Sequence, residues 1–205
     1  MGSVTVTTYS CYIQILQRGK GRPAVAAAAY RAGERIFSEH DGRIYDYSSK
    51  GGIIHKEILL PDHAPGEYID RATLWNAVEH MEQGRNAWLA WELQLGLPKG
   101  LLREQNIALA CEYARQAFVA GGMCADVCIH DKKNGNPHAH IMLPLRSIKA
   151  DGTWDLCWIA PDAEKRWRAA WADLINRYLE RTNRYRGRYQ MEREDDFLDE
   201  SLRTN

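Results

Sequence analysis

The sequence lacks a long apolar run, since none of its stretches approaches the roughly 20 consecutive apolar residues of a membrane-spanning helix. Its first residues, MGSVTVTTYSCYIQ, lack the basic start and apolar core of a signal peptide. The five cysteines are odd in number and lack the spacing of a disulfide scaffold. These absences argue against a membrane protein and a disulfide-stapled secreted domain. We therefore expect a reducing, cytoplasmic setting and no membrane partner.

The chain also lacks an excess of either charge: its 27 lysines and arginines balance its 27 aspartates and glutamates, so the formal net charge is zero. Overall charge therefore gives no argument for a nucleic-acid partner. The distribution is uneven: seven arginines fall between positions 166 and 188, interleaved with tryptophan and tyrosine, and the acidic run EREDDFLDE follows. Basic residues mixed with aromatics suit phosphates and unstacked bases. A solvated amphipathic helix would give the same pattern, and the charges alone leave both interpretations open.

Hydrophobic periodicity predicts strands and helices in alternation. Strands are predicted over 4–16, 53–61, 86–98, 123–130 and 138–145, and helices over 23–37, 68–83, 102–122 and 161–182. Strict alternation in 86–98 predicts one face with Ala87, Leu89, Trp91, Leu93 and Leu95 and another with Trp88, Ala90, Glu92 and Gln94. The turn DKKNGNP lies between two strands and predicts a central hairpin. We predict an α+β fold with a central antiparallel sheet flanked by helices. Residues 1–205 form a single domain in this prediction, with 183–205 as a basic and then acidic extension.

Three of the seven histidines surround the predicted hairpin turn, in the stretch HDKKNGNPHAHIMLPLR. His138 and His140 are two residues apart, so a strand projects both from one face. His130 ends the preceding strand and can lie opposite them. Three imidazoles at one point would form a metal site with open positions, able to polarise a phosphate. Ordinary core or surface histidines are the plainer interpretation, and zinc hydrolases and oxygenases also use histidine pairs.

The segments AVAAAAYRAGERI, YDYSSKGGIIHKEILLP and NPHAHIMLPLR together resemble the MobA/MobL family. These proteins are plasmid relaxases of the HUH class, and the likeness is to the N-terminal relaxase region of TraA-type conjugation proteins. The resemblance extends from about residue 9 to about residue 182. It implies a palm-like antiparallel sheet with flanking helices, and a helix-borne tyrosine over a three-histidine metal site.

By position, the resemblance implies that Tyr30 is the catalytic nucleophile and that His130, His138 and His140 bind the metal. Glu92 matches the catalytic acid that orients a metal histidine, while the second acidic position of some relatives is glutamine here. The implied cofactor is a divalent ion, Mg²⁺ or Mn²⁺, which Zn²⁺ or Ni²⁺ could replace in a crystal. The implied reaction is nicking of one DNA strand at a plasmid transfer origin through a 5′-phosphotyrosine intermediate.

The expected partners are single-stranded DNA at a transfer-origin hairpin and relaxosome accessory proteins. Basic residues near the predicted site are candidate phosphate contacts. These DNA-binding candidates are Arg18, Lys20, Arg22, Arg31, Lys132 and Lys133. The same metal and tyrosine chemistry serves HUH replication initiators and transposases. Two interpretations from different functional classes also stay open: a DNA-binding module without catalysis, and a zinc hydrolase in which Tyr30 is structural.

Overall fold

The computed structural model describes residues 9–132, 135–156 and 162–181. The strands are β1 Cys11–Gln17, β2 Arg35–Ser38, β3 Arg43–Asp46, β4 Ile53–Leu59, β5 Trp88–Gly96, β6 Ala125–His130, β7 His138–Pro144, β8 Arg146–Ile148 and β9 Trp154–Leu156. The α-helices are α1 Ala24–Ala32, α2 Arg71–Met81, α3 Arg103–Ala117 and α4 Ala163–Arg181.

Five strands form the main sheet in the order β1-β5-β7-β6-β4, and every neighbouring pair is antiparallel. Helices α3 and α4 pack on one face, where Leu93, Ile141 and Trp171 belong to one apolar core. Helices α1 and α2 pack on the other face, where Trp75 and Met142 belong to a second core. The predicted α+β architecture, with a flanked antiparallel sheet and a central β6–β7 hairpin, is confirmed.

The predicted helix over 23–37 was wrong over its last five residues. Helix α1 ends at Ala32, and Gly33 follows in the left-handed conformation with φ 59°. Glycine adopts this conformation without steric cost, so it ends the helix. Residues 35–38 then form β2, which pairs with β3 in a separate hairpin. The alternation of Ile36 and Ser38, both buried, with exposed Phe37 is the strand pattern that the helix prediction overlooked.

The two faces of β5 follow the predicted alternation from Ala90 onward, but Leu89, and Ala87 just before the strand, pack on the face opposite to the predicted one. The register changes between Leu16 and Gln17 of β1, which pair with Ala90 and Trp88 and leave Leu89 without a partner. Such a bulge turns two successive side chains toward one side. Leu89 therefore packs with Ala90 in the core beneath α1 and α2, and not with Leu93.

The described part of the basic and aromatic region, helix α4, is an amphipathic core helix. Trp171 is completely buried, and Trp167 contacts Trp91 with ring centroids 5.5 Å apart. The Tyr178 hydroxyl donates a hydrogen bond to Glu112 at 2.7 Å. Residues 182–205 lie outside the described residues, so the 1–205 domain and its 183–205 extension stay predictions. Among the described residues, no helix is both long and apolar enough to cross a membrane.

Candidate active site

The three predicted metal histidines meet on the sheet face that carries α1 and α2. His130 and His138 pair directly across the β6–β7 hairpin, and His140 pairs with Cys128. The three ring centroids are 4.8 to 5.3 Å apart. One nitrogen from each ring lies within 4.8 Å of the others, which is the spacing of a group that can hold a metal ion.

Two of the three histidine rings, those of His130 and His140, lie where burial favours the neutral form that binds metals. Burial, with the neighbouring His140 second, lowers the pKa of His130 to about 3. Burial also lowers the pKa of His140 to about 4, although nearby Glu92 opposes the shift. His130 Nε2 donates to the Arg31 carbonyl at 2.7 Å, and His138 Nδ1 donates to the Asn136 carbonyl at 2.9 Å. Each bond fixes a tautomer whose lone pair lies on the other ring nitrogen.

Glu92 lies beside the cluster as an ionised carboxylate. Its Oε1 accepts from the Arg31 guanidinium, and its Oε2 accepts from Gln14 Nε2 at 2.7 Å. Burial raises the pKa of Glu92, but the charge of Arg31 and the proximity of His140 outweigh it and leave the pKa at about 2. Glu92 Oε1 is 3.3 Å from His140 Nδ1, an ion-pair distance. The position suits the predicted orienting acid.

These residues fit a metal ion by an observation independent of the ring spacing. His140 Nδ1 is buried and has no aligned hydrogen bond among the described residues. Glu92 Oε1 lies 3.3 Å from this atom and can accept its hydrogen bond, which leaves the lone pair of the other ring nitrogen, Nε2, for a metal ion. The buried carboxylate of Glu92 beside the three imidazoles would also partly balance the charge of a bound cation.

Helix α1 places Tyr30 next to this cluster. Its alanines let the helix approach the sheet closely, and Ala28, Ala29 and Ala32 are at most 1% exposed. The carbonyl of Arg31, the residue after Tyr30, is the one that accepts the hydrogen bond from His130. The Tyr30 side chain itself is 47% exposed, and its ring meets the edge of Tyr47 at 5.2 Å. Its hydroxyl has no hydrogen bond within the described part of the chain. The structure thus brings Glu92 and the three histidines together and joins the cluster to α1 at Arg31, the residue that follows Tyr30.

The sequence profile of the MobA/MobL family matches residues 22–190. The chain belongs to the MobA/MobL family of mobilisation relaxases. Mobilization protein MobL of Acidithiobacillus ferridurans is 39% identical over 163 residues, which cover 67% of this chain and 42% of that protein. The probable conjugal transfer protein TraA of Sinorhizobium fredii is 38% identical over 151 residues, covering 68% of this chain and 14% of that protein. The chain thus spans less than half the length of these relatives.

Solved structures agree with this MobA/MobL assignment. A chain from a study of vancomycin resistance transfer in Staphylococcus aureus superposes with TM-score 0.84 and 29% identity, covering 91% of this chain and 100% of that chain. The conjugative relaxase TrwC, solved with oriT DNA and metal, superposes with TM-score 0.53 and 12% identity over 84% of this chain and 70% of that chain. The second likeness shows the relaxase fold.

The predicted DNA-binding residues of this MobA/MobL chain fall into two groups. Arg22 is exposed and donates to Gln14, which in turn donates to Glu92, so it borders the site. Lys132 is exposed just beyond β6, and Lys20 is exposed between β1 and α1. Arg18, in contrast, is engaged internally, with its guanidinium 2.7 Å from the buried Glu79 carboxylate. Arg31 is held by Glu92, and Lys133 lies outside the described residues. The DNA-binding role of all six stays a prediction.

Lys50 is a site residue that the sequence analysis missed. Its Nζ lies 3.5 Å from the centroid of the Tyr30 ring and donates to the Tyr30 carbonyl at 2.7 Å. Burial, followed by repulsion from Arg31 and Lys132, lowers the pKa of Lys50 to about 8. Lys50 thus brings a positive charge directly onto the Tyr30 ring, and Arg31 and Lys132 lie close enough to Lys50 to repel it. The segment YDYSSKGG carried part of the family resemblance, but nothing in its local pattern placed this lysine against a tyrosine 20 residues earlier.

Proposed function

We propose that this chain is a metal-dependent single-strand DNA transesterase that nicks a plasmid transfer origin, with Tyr30 as nucleophile. The observation that carries the proposal is the hydrogen bond from His130 Nε2 to the Arg31 carbonyl, because it joins the nucleophile's helix to the histidine cluster at 2.7 Å. Membership of the MobA/MobL family and the solved complex of TrwC with oriT DNA supply the substrate class. The proposed location is the cytoplasm, where the plasmid DNA is.

In the proposed reaction, Tyr30 Oη bonds to the scissile phosphorus and the bond from phosphorus to the 3′ oxygen breaks. The phenol proton leaves as the new bond forms, and the released 3′ oxygen takes up a proton. One phosphodiester is exchanged for another, so rejoining needs no external energy source. The exposed Tyr30 side chain suits this step, since the scissile phosphate must reach it from solvent.

Cations around Tyr30 would supply the electrostatic part of the reaction. A free tyrosine has a pKa of about 10, so attack near neutral pH needs stabilisation of the developing phenolate. Lys50, whose Nζ lies 3.5 Å from the centroid of the Tyr30 ring, is the cation that we propose for that role. A divalent ion held by His130, His138 and His140 would, when bound, neutralise and orient the scissile phosphate. Glu92 orients the side chains of His140 and Arg31, and its carboxylate balances the positive charge of Arg31.

The proposed partner is single-stranded DNA beside a transfer-origin hairpin, with relaxosome accessory proteins as further partners. A single strand can bend to bring one phosphate into a site on a sheet face, whereas a closed duplex holds its phosphates in a stiff helix. Arg22 and Lys132 border the site and are the best placed of the predicted phosphate contacts. Lys20, exposed before α1, extends the proposed contact surface, whereas Arg18 and Arg31 are already paired with Glu79 and Glu92. Lys133 stays a prediction from the sequence.

The test is covalent capture of DNA. The protein is incubated with a 3′-labelled single-stranded oligonucleotide that carries its plasmid's transfer origin, with Mg²⁺ or Mn²⁺ or with EDTA. We expect a metal-dependent covalent adduct on a denaturing gel, and proteolysis should map the DNA to the peptide that contains Tyr30. Nicking without an adduct would point to a metal-activated water and contradict the mechanism. Binding without cleavage of a verified origin would leave a DNA-binding module.

The proposed phosphate contacts predict the salt dependence of DNA binding. Each of Arg22→Ala and Lys132→Ala should lower the slope of log affinity against log salt by about 0.7 for a single strand. Fluorescence anisotropy over a salt series measures this slope. Lys149→Ala is the matched control, because Lys149 is an exposed lysine paired with Asp155 in the β8–β9 hairpin. Equal slopes in all variants would remove the two residues from the interface.

A further inference from the structure

A second cluster of metal-binding side chains lies on the opposite face of the sheet from the three histidines. Strand β4 is the edge strand, and His55 and Glu57 alternate with Lys56 along it. Lys56 pairs with Cys128 in register and forms an ion pair with Glu34, which follows α1. His55 and Glu57 therefore point the other way, toward α3.

Cys111 of α3 completes the cluster, which we name the β4–α3 cluster: His55, Glu57 and Cys111. The Glu57 carboxylate lies 3.3 Å from His55 Nε2 and 3.5 Å from Cys111 Sγ, and the sulfur lies 3.8 Å from His55 Nε2. One donor atom from each side chain falls within 4.8 Å of the others. Cys111 is buried, whereas His55 and Glu57 are 26% and 38% exposed, so the cluster is open to ions from solvent.

The donor set points to a particular class of ion. A thiolate, an imidazole and a carboxylate together suit borderline-soft cations such as Zn²⁺, Co²⁺ and Ni²⁺, whereas Mg²⁺ prefers oxygen donors alone. Three protein donors leave a fourth position open for water. We propose that His55, Glu57 and Cys111 form a second metal site, specific for Zn²⁺-like ions, that ties the edge strand β4 to helix α3.

Neighbouring side chains support this assignment. Arg115, one turn after Cys111, lies 3.4 Å from Glu57 Oε1 and leaves Oε2 directed at the sulfur and the imidazole. Binding forms a bond from sulfur to metal and breaks the S–H bond, and the proton passes to solvent. Without an ion, burial and then the charge of Glu57 raise the pKa of the Cys111 thiol to about 12. A bound cation would lower this pKa again, because thiols that coordinate a metal ion lose their protons.

The site does not depend on the proposed nicking activity, and its consequence is structural. β4 carries Lys56 toward Glu34 on the active-site face, and the metal would fix the other face of the same strand to α3. The edge strand would then be held from both sides of the sheet. We therefore expect Zn²⁺ to raise the melting temperature even when the three histidines of the active site are replaced.

Cobalt spectroscopy tests the site without any assay of DNA cleavage. Thiolate bound to Co²⁺ gives a charge-transfer band in the near ultraviolet, which three imidazoles cannot give. Titration of the full chain with Co²⁺ should produce this band, and Cys111→Ser should lose it. Cys124→Ser is the matched control, since Cys124 is another buried cysteine outside both clusters, and it should keep the band. Circular dichroism verifies that both variants fold.

A second measurement removes the active-site histidines from the experiment. In the variant with His130→Ala, His138→Ala and His140→Ala, equilibrium dialysis should still give one Zn²⁺ per chain, and Cys111→Ser in that background should give none. Absence of the band in the wild-type chain, or its persistence in Cys111→Ser, would overturn the proposal. Loss of nicking with the cobalt band intact would instead contradict only the proposed function.

Discussion

Tyr30→Phe will abolish the covalent adduct and lower single-strand cleavage by roughly 10³-fold or more, because removing a nucleophile leaves only the catalysis that comes from binding and charge. The substitution removes one oxygen atom from a side chain that is 47% exposed. Its hydroxyl has no hydrogen bond among the described residues, so no folding interaction is lost. Thermal stability and DNA affinity should therefore stay near those of the wild-type chain. Denaturing gels measure the adduct, and anisotropy measures the affinity.

Tyr47→Phe is the matched control for this prediction. Tyr47 meets the Tyr30 ring edge-on at 5.2 Å, so both phenols occupy the same surface. If Tyr30 is the nucleophile, Tyr47→Phe should cut the adduct rate by no more than a few-fold. An adduct that survives Tyr30→Phe and disappears in Tyr47→Phe would assign the nucleophile to Tyr47. Loss of the adduct in both variants would mean that both tyrosines are needed for cleavage. That result would contradict the assignment of Tyr30 as the single nucleophile.

The histidine cluster could be predicted from sequence because its geometry is local. His138 and His140 share a face through the period of a strand, and the short turn brings His130 opposite them. The hairpin turn between the two strands is enough to set the pairing of His130 with His138. Glu92 was recovered through the family resemblance, since its partners Arg31 and Gln14 are 61 and 78 residues away. No local pattern could have joined them.

Interactions between distant segments explain what could not be predicted from the sequence. Lys50 reaches Tyr30 only because the β2–β3 hairpin folds back beside α1, and the helix prediction over 23–37 concealed that hairpin. The apolar and alanine-rich composition of 23–32 favoured a longer helix, and Gly33 was the one residue that argued for an end. The bulge at Leu89 was equally hidden, since it depends on the register with β1.

Two buried ionic groups fix the ends of α1 and thereby position Tyr30. At the start, the Glu79 carboxylate accepts from the Ala24 backbone N–H and from Arg18. This contact satisfies one of the unpaired N–H groups that every helix start presents. At the end, Glu34 accepts from Arg71 at 2.7 Å, and Arg71 in turn holds Asp126 of β6. Helix α1 is thus tied to α2 and to the strand that ends in His130.

The largest loss of stability should come from breaking this second group with Asp126→Ala. Arg71 donates to both Asp126 oxygens at 2.8 Å, Trp75 Nε1 donates at 2.9 Å, and the side chains of Arg71 and Asp126 are 8% and 1% exposed. Within the described part of the chain, removing the carboxylate leaves the buried Arg71 with Glu34 as its one ionic partner, which costs about 3–5 kcal/mol. Urea unfolding should show this loss, with a melting temperature lower by roughly 10 °C.

Two further variants separate an unpaired charge from a simple loss of contacts. Asp155→Ala breaks the exposed pair between Lys149 and Asp155, 3.3 Å apart, and should cost less than about 1 kcal/mol. The double variant Arg71→Met with Asp126→Leu removes both charges, and it should recover much of the stability lost in Asp126→Ala because no buried cation remains unpaired. A double variant as unstable as the single one would mean that packing, not charge, holds α1 against β6. In that case the alanine face of α1, and not the group of Glu34, Arg71 and Asp126, would position the end of the helix that carries Tyr30.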